Sequence, residues 1–297
     1  EWLLDNFYII ELQYKKIRQS LEEERGLELN TLENGVFRNC PRIYILAVEL
    51  ISHTEGVVTE ETLIDFINSY QEESTLSIKE VSSLPLMLTL ALMNYIRNIC
   101  TKIENISNQW QKANEIELSQ IREIEKYIKE MEEISSSFLE RLFVRIKKEE
   151  TQQSIFSFER RLNYLGTTVE KIIEKEHIKQ ANMKLKIGNS IISLKNISNL
   201  KWVNIFESLS IVEKTLKEDP LEVYRNMDLE SKNYYIHHVQ ELAEKLNTKE
   251  IFIAKKNLEL DRNEYEKGHQ GKESHEGYYI IDDRSEEIFK SLNKQEK

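Results

Sequence analysis

The sequence predicts an all-α fold. Turn-forming residues are scarce: 8 Gly and 3 Pro stand among 297 residues, roughly 3% and 1% against about 7% and 5% in ordinary proteins. All-β sandwiches and barrels need a turn residue every few positions. A doubly wound α/β fold needs a Gly-rich first turn and runs of Val and Ile. Apolar residues make up 40% of the chain and charged residues 31%, with 13 Tyr, 10 Phe and 3 Trp, which is too apolar and aromatic for disorder. Apolar positions also recur at helical spacing between capping residues along the chain. The expectation is a multi-helix bundle of about ten helices in two packed halves, residues 1–150 and 151–297, with a short strand-like segment near the C-terminus.

Leu3, Phe7, Ile10, Tyr14, Ile17 and Leu21 fall on one stripe of a first helix, which Gly26 stops. A linker with Asn30, Asn34 and Gly35 leads to Pro41, placed for the first turn of a helix over Arg42 to about Ser52. Thr59 caps a third helix carrying Leu63, Phe66, Ile67 and Tyr70. Ser77-Ile78-Lys79-Glu80 is a capping box, with Glu80 reaching back to the Ser77 backbone. Pro85 starts a new helix that is apolar nearly all round from Leu86 to Met93, the candidate centre of the first bundle.

Glu117 to about Ile134 reads as an amphipathic helix, and Ser135 to Ser137 as the cap of the next, Phe138 to Lys148. The polar run Glu149 to Gln153 joins the halves. Ile155 to Leu165 is stopped by Gly166, and Thr167-Thr168-Val169-Glu170 opens a long helix to about Lys195. Trp202 to Leu216 reads as one helix with Phe206, Leu209, Val212 and Leu216 inward, ended by Asp219-Pro220. Asp228 caps a helix with Tyr235, Val239, Leu242 and Leu246 inward, and Thr248 caps another with Ile251 and Ala254 inward. Gly268 to Gly277 is a polar loop, and Gly277 to Asp282 is the strand-like run.

With 41 Lys plus Arg against 52 Asp plus Glu, the net charge is −11, which argues against nucleic acid as a partner. Cys40 and Cys100 have no CxxC spacing, so a reducing compartment and two inert thiols are expected. The longest apolar run, Leu84 to Ile96, is too short to span a membrane. The opening lacks both a start Met and a basic leader, which reads as a piece of a longer chain. Adjacent His237 and His238 diverge on a helix and cannot share one metal ion. His269 and His275, near Glu273 and Glu276, read as a solvated loop rather than a metal site. There is no HExxH, no Gly-rich phosphate loop, no GxSxG and no DxD; Asp282-Asp283 has the wrong spacing. No catalytic residue, metal site or cofactor is therefore expected here.

Several blocks occur in order: Glu1-Trp2-Leu3-Leu4-Asp5-Asn6-Phe7, Pro41-Arg42-Ile43-Tyr44-Ile45-Leu46-Ala47, His53-Thr54, and Phe66-Ile67-Asn68-Ser69-Tyr70-Gln71. Leu76-Ser77-Ile78-Lys79-Glu80, Phe206-Glu207-Ser208-Leu209-Ser210, Asp219-Pro220-Leu221-Glu222-Val223-Tyr224, Met227-Asp228 and Gly277-Tyr278-Tyr279-Ile280-Ile281 follow. From Glu1 to about Asp282 the chain resembles the N-terminal region of cyclic β-1,2-glucan synthases, large membrane glycosyltransferases with a downstream phosphorylase-like domain.

The resemblance implies a non-catalytic domain on the cytoplasmic side of the inner membrane. It would pack on or position a transferase that polymerises glucose from UDP-glucose with a divalent metal. The implied partners are the downstream transferase and phosphorylase-like domains and the β-1,2-glucan itself. A stand-alone carbohydrate-binding or carbohydrate-active domain is the alternative. It is disfavoured because the Trp residues are scattered at 2, 110 and 202. Trp2, Asn6, Arg42 and Tyr44 are the candidate contact residues. The competing reading has Arg42 and Asn6 brace the first two helices through hydrogen bonds.

Overall fold

A computed structural model describes residues 2–23, 29–116, 135–149, 152–164, 166–267 and 280. The helices are α1 (Trp2–Asp5), α2 (Phe7–Glu23), α3 (Arg42–His53), α4 (Glu60–Gln71), α5 (Ile78–Ser82), α6 (Leu84–Glu115) and α7 (Ser136–Glu149). Next come α8 (Gln152–Tyr164), α9 (Val169–Ile197), α10 (Trp202–Leu209), α11 (Ile211–Leu216), α12 (Leu229–Lys245) and α13 (Glu250–Glu266). A single 3₁₀ turn, Tyr224–Asn226, precedes α12. The fold is thus an all-α multi-helix bundle, with about ten helices of eight residues or more among the described residues. Those residues include no strand, only an isolated bridge between Thr31 and Pro41. Of the expected strand-like run, Ile280 alone is described, and it is helical and buried. The rest of that run, the His269–Glu276 loop and the expected helix from Glu117 to Ile134 lie outside the described residues.

The chain forms two compact units, one from Glu1–Gln13, Ile51–Val57 and Leu92–Lys195, the other from Tyr14–Leu50, Val58–Ala91 and Asn196–Lys297. Each unit draws on residues from both sides of position 150.

In the first unit, Phe138, Leu139, Leu142 and Ile146 of α7 pack with Phe158 and Leu162 of α8 and Val169 and Ile172 of α9. The end of α6 joins them through Ala113 and Ile116. Arg145 donates to the carbonyls of Ala113 (2.6 Å) and Ile116 (3.1 Å), a cation at the carbonyl end of α6. Ser136 and Ser137 lie inside α7 instead of capping it from outside. Their hydroxyls donate to the fully buried Glu176 at 2.9 and 2.8 Å. Burial raises the Glu176 carboxyl, but hydrogen bonds from Gln180, Ser137 and Ser136 and the Lys179 charge outweigh it and hold the carboxyl low.

Among the described glycines, Gly56 is the one packed closely against its neighbours. Its φ is +88°, and a Cβ built there would meet Ser190 Oγ at 2.4 Å and the Lys186 carbonyl at 3.2 Å. Its own carbonyl accepts from Ser193 Oγ at 2.8 Å. Gly56→Ala is expected to cost about 2–4 kcal/mol, combining the left-handed backbone penalty with overpacking. Gly35 has a similar φ of +86° but open space around it, so Gly35→Ala should show only the backbone part, about 1–2 kcal/mol. Denaturant midpoints of the two variants measure the difference; equal losses would remove the packing argument.

In the second unit, α12 contributes Tyr235, Ile236, Val239, Leu242 and Ala243 to a core with Val212 and Leu216 of α11, Ile253 and Ala254 of α13, Tyr224 and Ile78. The caps at Thr59, Ser77 and Asp228 stand where the sequence places them. Others shift by a residue. Thr168 rather than Thr167 caps α9, its hydroxyl accepting from Lys171 N at 3.4 Å. Lys249 occupies the α13 cap position without a side-chain bond, and Ile253 with Ala254 is buried where Ile251 is only partly so.

The stretch expected as one helix from Trp202 to Leu216 is two. Ser210 is extended (φ −69°, ψ 112°), and its hydroxyl accepts from Glu213 N at 3.1 Å, so it caps α11. A serine that offers its side chain to the backbone competes with helix continuation. The first stripe is also displaced. Asn6 interrupts the helix, and α2 buries Ile9, Gln13 and Ile17, while Phe7 and Tyr14 are exposed. Buried Gln13 donates to the Leu194 carbonyl at 3.2 Å, so a polar residue lies on the inward face. The apolar start of α6 is deeply buried at Leu84, Leu88, Ala91 and Leu92, with Leu90 only half-buried.

Candidate functional site

The second unit is organised around the start of α5. This helix has five residues, so its first N–H groups matter more than its length. Ser77 N donates to Glu80 Oε2 at 2.8 Å, Glu80 N to Ser77 Oγ at 3.2 Å, and Ile78 N to Glu250 Oε2 at 2.7 Å. Arg42, the first residue of α3, reaches the same carboxylate. Its Nε lies 2.5 Å from Glu80 Oε1 and its Nη2 2.6 Å from Oε2, a bidentate pair. The guanidinium also donates to Ser74 Oγ and the Thr75 carbonyl, both at 2.8 Å. Asn30 Nδ2 adds a bond to Glu80 at 3.1 Å. It is brought there by the loop before α3, in which Arg42 N donates to the Asn30 carbonyl and Leu32 pairs with Asn39 and Cys40. Burial raises the fully buried Glu80 carboxyl, yet Arg42, the Ser77 N–H and Asn30 outweigh it and hold it below the usual range.

A polar groove of about 680 Å³ lies beside this clamp, lined by Arg42, Tyr70, Lys79 and Glu250 among others. Burial, with the Glu80 charge adding to it, raises the Glu250 carboxyl. A second cleft, of about 450 Å³, is bounded by the α5–α6 junction, α10 and α12, and is mainly apolar: Trp202, Val203, Phe206, Leu229 and Ile236 line it. Its acids are occupied. Lys217 lies 2.7 Å from Glu207 and 3.4 Å from Glu213, and the Tyr224 hydroxyl donates to Glu213. Lys217 holds the Glu207 carboxyl below the usual range. Glu207 therefore offers no proton for acid catalysis near neutral pH.

A third feature is a buried carboxyl. Asp261 of α13 is fully buried, as is Asn257 one turn earlier, and Asn257 Nδ2 donates to Asp261 Oδ2 at 3.1 Å. The other oxygen of each side chain has no partner among the described residues. Burial and the nearby Asp219 charge push the Asp261 carboxyl up to about 8.

The four residues singled out in the sequence fall in different places. Arg42 and Tyr44 are partly buried residues of α3 in the second unit. Asn6, in the first unit, is the partly buried junction between α1 and α2, its carbonyl accepting from Ile9 N at 3.0 Å. Trp2 opens α1. The bonds of the Arg42 guanidinium described above all go to the segment 74–80. Sequence reasoning found the Ser77–Glu80 box but not its Arg42 partner, and it passed over Trp202 and Asp261. His237 faces Glu241 at 3.4 Å while His238 Nδ1 meets the Tyr234 carbonyl at 2.9 Å, so the two rings do diverge. Among the described residues no group of three or more His, Cys, Asp or Glu is placed to hold a metal ion. No helix among them is long and apolar enough to cross a membrane.

No protein-family model matches the chain. It is 28% identical over 270 residues to the cyclic beta-(1,2)-glucan synthase NdvB of Rhizobium meliloti (strain 1021). The match covers 88% of this chain and 9% of that protein. The chain is therefore a distant homologue of a glucan synthase and spans less than a tenth of the length of the relative it matches.

Proposed function

We propose that the chain is a non-catalytic helical domain of a larger β-1,2-glucan synthase-like glycosyltransferase. In this reading it lies on the cytoplasmic side of the inner membrane. There it packs on or positions the transferase that polymerises glucose from UDP-glucose. The observation that carries the reading is the likeness to a glucan synthase along 88% of this chain but only 9% of the relative. A match confined to a domain-sized stretch of a very long enzyme leaves ample chain for chemistry elsewhere. The closed clamp of Arg42 and Glu80 supports the same reading. Its polar groups bond to one another, as in a structural brace, and Glu80 is fully buried.

Glucose incorporation from UDP-glucose, measured on the longer parent with and without this region, tests the proposal. Loss of synthesis on removal is expected, together with no incorporation and no UDP-glucose binding by the isolated chain. Micromolar UDP-glucose binding to the isolated chain in calorimetry, or unchanged synthesis by the truncated parent, overturns it.

A further inference from the structure

The cleft between the α5–α6 junction, α10 and α12 combines three properties that define a ligand class. The first is size. About 450 Å³ falls in the range of small-molecule sites.

The second is charge. Four ionic side chains line the cleft, Lys79, Glu207, Glu213 and Lys232. Each has an opposite partner: Lys79 with Glu244 at 2.6 Å, Glu207 and Glu213 with Lys217, and Lys232 with Glu207 at 3.5 Å. An ionic ligand would have to break one of these pairs. A neutral ligand leaves them intact.

The third is the pairing of aromatic and amide surface. Trp202 and Phe206, one turn apart on α10, present rings to the cleft. The Trp202 indole N–H is held by the Ile197 carbonyl at 3.0 Å, which fixes the ring and leaves its face as the contact surface. In the same cleft, Asn233 is exposed and its amide has no hydrogen-bond partner among the described residues. Aromatic surface together with a free amide in one cleft suits a ligand with apolar C–H faces and a rim of hydroxyls.

We propose that this cleft is a saccharide site, with Trp202 stacking on a neutral sugar ring and Asn233 hydrogen-bonding its hydroxyls. The choice of β-1,2-linked glucose as the preferred sugar rests on the function proposed above; the neutral-sugar chemistry does not.

Short β-1,2-linked glucose oligomers titrated into the chain test it, with tryptophan fluorescence and calorimetry as readouts and β-1,4-linked oligomers in parallel. Saturable binding is expected, weakened about tenfold or more by Trp202→Ala and about threefold to tenfold by Asn233→Ala. Trp202→Ala removes a bond to Ile197, so its helix content is checked by circular dichroism. Asn233→Ala alters an exposed side chain and keeps the test independent of folding. Absence of saturable sugar binding to the folded chain overturns the proposal, as does binding that neither substitution changes. Capture of an amphipathic peptide helix in place of sugar overturns it too. The two readings fail separately. A parent that needs this region for synthesis, with a chain that binds no sugar, keeps the proposed function and removes the site. Equal binding of both linkages keeps the site and removes only the assignment to β-1,2-glucan.

Discussion

Arg42→Ala is expected to destabilise the chain by about 3–5 kcal/mol, because it leaves a buried carboxylate without its cation. Glu80 is 0% exposed, and its remaining partners, Asn30 and the Ser77 N–H, are neutral donors that cannot replace a bidentate guanidinium. Arg42→Lys should lose a large part of the same energy, since an ammonium cannot make the paired contact or also reach Ser74 and the Thr75 carbonyl. Replacing both partners together, Arg42→Met with Glu80→Gln, should recover much of the loss, because the isolated charge is what costs. The pH dependence has a definite sign. The Glu80 carboxyl is held below its unfolded value of 4.5, so the pair contributes fully above that pH and is lost as pH falls through the lower folded value. Arg42→Ala should therefore erase part of the acid-side loss of stability as well as lower the plateau. Denaturant midpoints from pH 3 to 8 read both effects. If Arg42→Ala left the isolated chain as stable as before while lowering glucan synthesis by the parent, Arg42 would be a contact residue, not a brace.

What could be read from the sequence was local. Thr59, Ser77 and Asp228 cap helices as expected because a cap involves residues three apart. The slip from Thr167 to Thr168 has the same origin, since adjacent threonines can each cap a helix start and Glu170 fits the box pattern only from Thr167. The first stripe misled because an inward glutamine breaks an apolar count. Ile9 and Ile17 flank Gln13 on the buried face, yet Phe7 and Tyr14 look more hydrophobic. Ser210 was passed over because a serine within an apolar helical pattern has no local mark that separates a cap from a solvated side chain. The candidate sites were the least legible. Arg42 and Glu80 are 38 positions apart, and the saccharide cleft draws on residues from 78 to 240. The three Trp are scattered along the chain, but Trp202 lines one cleft with Phe206 and Asn233, a grouping that a count of Trp alone does not show. Fold class survives such errors, because helix periodicity and the scarcity of Gly and Pro are properties of the whole chain.

Asp261→Asn is expected to stabilise the chain at and above neutral pH. The wild-type carboxyl, pushed up to about 8 by burial and the Asp219 charge, holds a proton in the folded state that the unfolded state, at 3.8, releases. Between those two values the folded state binds more protons than the unfolded one, so stability falls as pH rises. Below the window both states are protonated and nothing is lost; above it the full cost of a buried carboxylate is present. The structure shows why no partner relieves that cost. The described contacts of Asp261 are Asn257, which donates one N–H, and Asp219, which repels. Asp219 is itself held by the N–H groups of Leu221 (2.9 Å) and Val223 (2.8 Å), so it cannot turn away. The unmatched atoms at Asn257 and Asp261 are both oxygens. Two acceptors cannot bond until one carries a proton, so the neutral acid is the form that fits. Asparagine at 261 keeps an acceptor for Asn257, supplies a donor at every pH and removes the repulsion with Asp219. The gain should be negligible near pH 4, grow through the window and reach a few kcal/mol by pH 8, raising Tm there by several degrees. The difference between variant and wild type isolates this group from acids such as Glu80 and Glu176, whose lowered values act in the opposite direction. A difference that stays flat from pH 4 to 8 would mean that Asp261 is ionised in the folded state and that an unseen donor or cation meets its free oxygen.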